Sequence, residues 1–243
     1  MLLSIFYFTL FYNILIIFYS LCIPHTLTDI IYRESDKDLA FGITKRRVDV
    51  LLWTLAYLIY DSWSMIRMYG KNMEKAMVLH HVVCITAFTL GIYLNVGTVY
   101  MGAFLINEIS SPFLHFRWYF SRLNKRDSTL ASINNIIFAV LYLIFRGVWN
   151  TYVVCALCIR FYFYREELHD STVPYWIIIS LPSFAISHLL LNYYWLSLIV
   201  LHLVHPKSSR VSSEEDSSIT ITTNENTPLL VHNTDTVIYS EII

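Results

Sequence analysis

The sequence predicts an all-α integral membrane protein, a six-helix transmembrane bundle or barrel followed by a disordered tail. Three observations carry that reading. Of 243 residues, 56% are hydrophobic and only 14% charged, with mean hydropathy +0.52, whereas soluble domains carry about 25% charged residues. Apolar runs close to the roughly 20 residues needed to cross a bilayer recur along the chain. The polar residues inside those runs fall at helical spacing onto single faces.

The first run, residues 3–23, has no positively charged start and no small-residue cleavage pattern. It reads as a retained anchor instead of a signal peptide. The second and third cover residues 48–66 and 77–95. The fourth, residues 98–120, follows the third after a very short turn at "NVG", which predicts a tight helical hairpin. The fifth, residues 130–160, is long enough to tilt or project from the bilayer. The sixth, residues 175–204, contains Pro182, a predicted kink. These runs place residues 1–206 in one transmembrane domain. Residues 207–243 are rich in Ser, Thr, Asn, Asp and Glu without apolar periodicity, so they are expected to form a disordered tail.

An even number of spans puts both ends on one side. With that side cytosolic, the loops at residues 67–75 and 117–126 and the tail carry nine Lys or Arg, against seven in the opposing loops. The excess favours cytosolic ends.

Polar groups inside a bilayer are costly, and ionisable ones mark function or pairing. Tyr57, Asp61 and Ser64 share one face of the second span, with Glu108, Ser111 and His115 on the fourth and Asn107 beside them. Tyr142, Arg146 and Asn150 follow at four-residue steps on the fifth, and His188 and Asn192 on the sixth. Four helices with one polar stripe each predict a shared, partly polar interior. Arg146 needs a carboxylate partner there, Glu108 or Asp61.

His80 and His81 sit near the start of the third span. As sequence neighbours their side chains diverge by about 100° on a helix. An imidazole is a competent nucleophile or general base, but a histidine pair at this depth can also snorkel to water. Adjacent histidines are poor joint metal ligands, since the usual helical spacing is i and i+4. Cys155 and Cys158 form a C-x-x-C without two further ligands nearby. All four cysteines, Cys84 included, read as packing residues. No metal and no cofactor is expected. The net charge of −1 argues against nucleic acid as a partner.

The run "YLIYDSW" with Asp61, then "LHHVV", "NEISSPFLHFRWYF" and "LIFRG" with Arg146 resembles the TLC domain family, which includes ceramide synthases and translocating-chain-associated proteins. The resemblance is strongest from Tyr57 to Arg146. It implies a TLC-type helical bundle and a lipid or acyl chain as partner. In ceramide synthases a double histidine precedes a His-Asp-x-x-Asp cluster. The double histidine matches His80 and His81. The cluster falls on Asn107, Glu108 and Ser111, so one imidazole and one carboxylate of that machinery are absent. The reading therefore leans away from an enzyme, towards a lipid-binding protein of membrane lipid homeostasis whose cavity is lined by Asp61, His80, His81, Asn107, Glu108, Ser111 and Arg146. The alternatives are an acyltransferase with His80, His81 and Glu108 as catalytic groups, and a cargo or trafficking receptor.

The tail adds two short motifs. Glu225 with Leu229 and Leu230 fits an acidic dileucine signal, and Tyr239 with Ile242 a tyrosine signal. Both resemble clathrin-adaptor ligands, extended peptides read through backbone contacts and pockets. They predict endolysosomal sorting, against the endoplasmic reticulum expected of many TLC proteins.

Overall fold

The computed structural model describes residue 12 and residues 45–70, 73–166 and 173–204. The first predicted span, apart from Tyr12, and the whole tail with Glu225, Leu229, Leu230, Tyr239 and Ile242 lie outside the described residues. Every regular element among the described residues is helical. In chain order these are α1 (Lys45–Tyr69), α2 (Lys75–Leu94), α3 (Thr98–Phe104), a 3₁₀ segment (Leu105–Ser110), α4 (Ser111–Arg122), α5 (Thr129–Leu141), a π-helical segment (Tyr142–Trp149), α6 (Asn150–Phe163) and α7 (Tyr175–Val204).

Three described helices are long and apolar enough to cross a membrane: Lys75–Leu94, the continuous Thr129–Phe163 and Tyr175–Leu203. The sequence predicts six spans, and two of the other three run through described helices that fall short for visible reasons. α1 carries Lys45, Arg46, Arg47, Asp49, Asp61 and Arg67. The fourth predicted span is divided by the 3₁₀ turn into short pieces.

That division starts at Pro112, at the N-terminus of α4. Proline has no N–H to give the carbonyl of Glu108, four residues back, and its ring crowds that carbonyl. The Ser111 N–H bonds to it instead, closing a tighter i to i−3 turn. The α2–α3 turn is equally local. Asn95 adopts a left-handed conformation, φ 56°. Its N–H reaches the Ile92 carbonyl and the Val96 N–H the Gly91 carbonyl, a Schellman closure with Val96 buried against the core. Gly97 follows at φ 68°. The sequence reading of a tight hairpin at "NVG" holds. α5 begins at Ser128, whose Oγ accepts from the Ala131 N–H at 3.2 Å. α7 continues through Pro182 as one helix.

The interior buries a set of polar residues beside an apolar core, and the outer surface is apolar. Thr54, Ser64, Asn107, Ser110, Asn150 and Asn192 are buried, while Trp53, Ile136, Val148 and Leu190 are each more than half exposed. A soluble domain rarely exposes so much large apolar surface, but a bilayer solvates it. The main core packs Leu51, Phe88, Val99, Tyr100, Val153, Phe161 and Ile177 from α1, α2, α3, α6 and α7. Among the described residues Tyr12 also joins it, its ring stacked on Tyr57 with centroids 4.2 Å apart.

Gly97→Ala places a Cβ in a left-handed conformation, a cost of about 1–2 kcal/mol. Thermal unfolding in detergent is expected to show a lower midpoint than wild type, and an unchanged midpoint would contradict the turn described.

Candidate functional site: two cavities meeting at His80 and Glu108

Arg146 is the centre of the interior polar network. It projects from the π-helical segment, whose wider turn keeps Tyr142, Arg146 and Asn150 all directed inward. Its Nε donates to Ser110 Oγ at 3.0 Å, Nη1 to Asn192 Oδ1 at 3.3 Å, and Nη2 to Ser111 Oγ at 3.0 Å and Glu108 Oε1 at 3.4 Å. Ser111 in turn donates to Glu108 Oε2 at 2.5 Å. The tight turn made by Pro112 brings these two side chains together, because residues i and i+3 eclipse in a 3₁₀ helix. Of the two carboxylates expected from sequence as partners, the guanidinium meets Glu108. Asp61 lies instead 3.5 Å from His81 Nε2. Tyr142 donates to Asn192 Oδ1 at 3.3 Å and places its ring 5.5 Å from the guanidinium carbon.

His81 is buried between Ser62 and Asp61. Ser62 Oγ lies 2.7 Å from His81 Nδ1 and 2.6 Å from the Leu58 carbonyl. A serine has one hydroxyl hydrogen for these two neighbours. If it goes to Leu58, His81 Nδ1 carries the hydrogen and donates to Ser62. The contact between Nε2 and Asp61 then requires a second proton, on the ring or on the carboxyl. If it goes to His81, Nε2–H donates to Asp61. Either way Ser62 and Asp61 hold the His81 ring by both nitrogens.

His80 points elsewhere. Its ring packs 5.2 Å from His188 and edge-on to Trp195 at 5.4 Å, and Cys84 Sγ lies 3.8 and 3.9 Å from its two nitrogens. His188, on α7, faces the amide nitrogen of Asn192.

Two cavities flank these residues. One, of about 170 Å³, is lined by Asp61, His80, His81, Glu108, Ser111 and Arg146 together with Phe138, Trp195 and Ile199 among others. The other, of about 80 Å³, is lined by Val83, Phe88, Met101, Phe104, Leu157 and Phe184 among others, with Cys84 and His188. Both are bounded by Leu58, His80 and Glu108.

Of the residues singled out in the sequence, Asp61, His80, His81, Glu108, Ser111 and Arg146 surround one cavity. Asn107 does not. It is buried, and its Nδ2 donates to Asn150 Oδ1 at 3.2 Å, tying the 3₁₀ segment to α6. Sequence reasoning missed Ser62, Ser110, Cys84 and Trp195. Cys84 carried a usable signal, four residues after His80. Trp195 carried none, because an indole in an apolar run reads as packing.

The TLC domain family matches residues 1–201. The chain belongs to the TLC domain family. It is 24% identical to TLC domain-containing protein 4 A of Dictyostelium discoideum over 162 residues, 66% of this chain and 61% of that protein. It is 37% identical to human TLC domain-containing protein 4 over 93 residues, 37% of this chain and 35% of that protein, and 32% identical to the Xenopus tropicalis protein of the same name over 96 residues, 38% and 36%. The chain thus spans less than two thirds of each of these relatives. No solved structure matches it. Membership of this family and helices of spanning length make it an integral membrane protein with a TLC domain.

Removing one member of a buried ion pair typically costs about 3–5 kcal/mol, because the partner is left charged and alone. Arg146→Ala is therefore expected to lower the unfolding midpoint in detergent sharply. Glu108→Gln keeps an acceptor for Arg146 Nη2 but leaves the guanidinium without a counter-charge, and is expected to lower the midpoint as well. Equal stability of Arg146→Ala and wild type would contradict the network.

Proposed function

We propose that this TLC-domain protein holds one membrane lipid or acyl chain, with its polar end beside Arg146, Glu108 and Asp61 and its chain in the apolar cavity, and so contributes to membrane lipid homeostasis. The observation that carries the reading is the junction of a polar and an apolar cavity at His80 and Glu108. An amphiphile is the chemical class that matches such a pair. Pockets for small ligands are mostly apolar with a few converging polar groups. The outward apolar surface supplies the bilayer from which the ligand enters. In this reading α1 and the divided α3–α4 segment also cross the membrane, which makes six spans with the first predicted run.

The purified chain is expected to carry a bound lipid in native mass spectrometry. Ala185 lines the apolar cavity, so Ala185→Phe fills it and should remove that lipid while the protein still unfolds cooperatively. His80→Ala with His81→Ala should fail to restore the cellular lipid profile in a null background. Full lipid occupancy in Ala185→Phe, together with full rescue by the double histidine variant, would sink the proposal.

A second reading, acyl transfer, is favoured by the place of His80 between the two cavities. A His80 nitrogen would bond to the carbonyl of an acyl thioester as the C–S bond breaks. The leaving thiolate would take the proton given up by the ring, and the acyl group would pass to an amine or hydroxyl acceptor as the acceptor's proton returns to the ring. Glu108 lies across the same junction. Consumption of acyl-CoA by purified protein, lost in His80→Ala, distinguishes this reading from binding alone.

For the tail we propose adaptor-mediated sorting from a cytosolic position through Glu225, Leu229, Leu230, Tyr239 and Ile242. Its support is the pair of motifs in one segment whose composition suits an extended ligand. Replacing Leu229, Leu230 and Tyr239 by Ala should move an N-terminally tagged chain away from endolysosomal markers. A reticular pattern in both wild type and variant, or a tail protected from protease in sealed microsomes, would reject it.

A further inference from the structure

His80, Cys84 and His188 place three metal-binding side chains together where the lipid reading uses only a cavity wall. One donor atom from each lies within 4.8 Å of the others. His80 and Cys84 are four residues apart on α2, the spacing that puts two ligands on one helix face. His188 comes from the facing α7. The arrangement is thus two helices with an i, i+4 pair on one and a single ligand on the other.

We propose that these three residues form a three-coordinate site for a soft monovalent metal ion, Cu(I). Three features of the site support it. First, the donor set is one sulfur and two imidazoles, and thiolate ligands select Cu(I), zinc or iron–sulfur centres over hard cations. Second, charge decides between those ions. A net charge in a low-dielectric interior is costly. When Cu(I) binds, the Cys84 thiol releases its proton and the Cu–S bond forms, so one positive charge enters and one leaves. A divalent ion on the same ligands would leave a net positive charge. Glu108 borders the cavity, but its two oxygens are engaged by Arg146 and Ser111. Third, the ligands have outer support. Trp195 packs edge-on to His80, and Asn192, itself held by Arg146 and Tyr142, faces the His188 ring. Packing of this kind limits the rotation of the two rings.

The donors have to close slightly. Bonds of about 2.0–2.3 Å spread in a trigonal plane set the donor atoms about 3.5–4 Å apart. Cys84 Sγ already lies 3.8 Å from a His80 nitrogen, so the closing is on the His188 side. The inference does not rest on the lipid reading, although the same three residues line the chamber assigned there to the chain.

The test uses the full chain in lipid nanodiscs, with Cys22→Ser, Cys155→Ser and Cys158→Ser so that Cys84 is the remaining thiol. Cu(I) is supplied from a bathocuproine disulfonate complex, and transfer is read by loss of the chelator's colour. One equivalent of Cu(I) per chain is expected, with one sulfur and two nitrogen neighbours by X-ray absorption. Cys84→Ser and His188→Ala should each weaken binding at least about tenfold. Cys84→Ala provides a second thiol-free variant, and the unfolding midpoint identifies any variant that has lost its fold. No transfer above empty nanodiscs, binding that persists in folded Cys84→Ser and Cys84→Ala, or tighter binding of Zn(II) than of Cu(I) would each overturn the assignment.

Discussion

A guanidinium inside a transmembrane bundle is the constraint around which the described structure is arranged. The charge of Arg146 is costly in hydrocarbon unless it is paired and hydrogen-bonded. Its four partners come from two regions distant in sequence, residues 108–111 and Asn192. The local irregularities serve this centre. The 3₁₀ turn before Pro112 stacks Glu108 over Ser111. The π-helical segment directs Arg146 inward together with Tyr142. Asn192 is turned towards both by its own contacts on α7.

Because Glu108 is engaged by Arg146, the rest of the cavity is free to differ in character. Asp61 is the carboxylate left over, and it pairs with the one histidine that Ser62 also holds. His81 is thereby fixed, and His80, one residue earlier, is the imidazole that faces both cavities. The divergence of neighbouring side chains on a helix separates the two roles. One ring belongs to the scaffold. The other stands beside a cysteine and a third histidine at the mouth of an apolar chamber.

Much of this was legible in the sequence. Helices at residues 45–69, 75–94, 129–163 and 175–204 follow from apolar runs, and the "NVG" turn from its short, glycine-bearing spacing. The polar stripes identified Asp61, Glu108, Ser111 and Arg146 because ionisable groups stand out in a hydrophobic run. The stripes could not choose between Asp61 and Glu108 as partner of Arg146, since both lie on inward faces and the choice depends on helix rotation. Asn107 adjoins Glu108 in the sequence, which places it on the cavity wall by pattern alone. In the 3₁₀ turn neighbouring side chains fan apart, and Asn107 crosses to Asn150 instead. Breaks in helix type are set by single residues such as Pro112, so the fourth predicted span read as one continuous helix. The family, in contrast, was carried by motifs at fixed spacing, and its match over residues 1–201 agrees with them.

The central claim is that the two cavities together hold a single amphiphile. The most direct measurement is a cryo-electron microscopy map of the full chain in nanodiscs made from native lipid extract. The account predicts continuous elongated density from the Arg146–Glu108 side, past His80, into the chamber lined by Phe88, Met101 and Phe184. Lipid density confined to the outer surface, with the chamber closed by its own side chains, would contradict it.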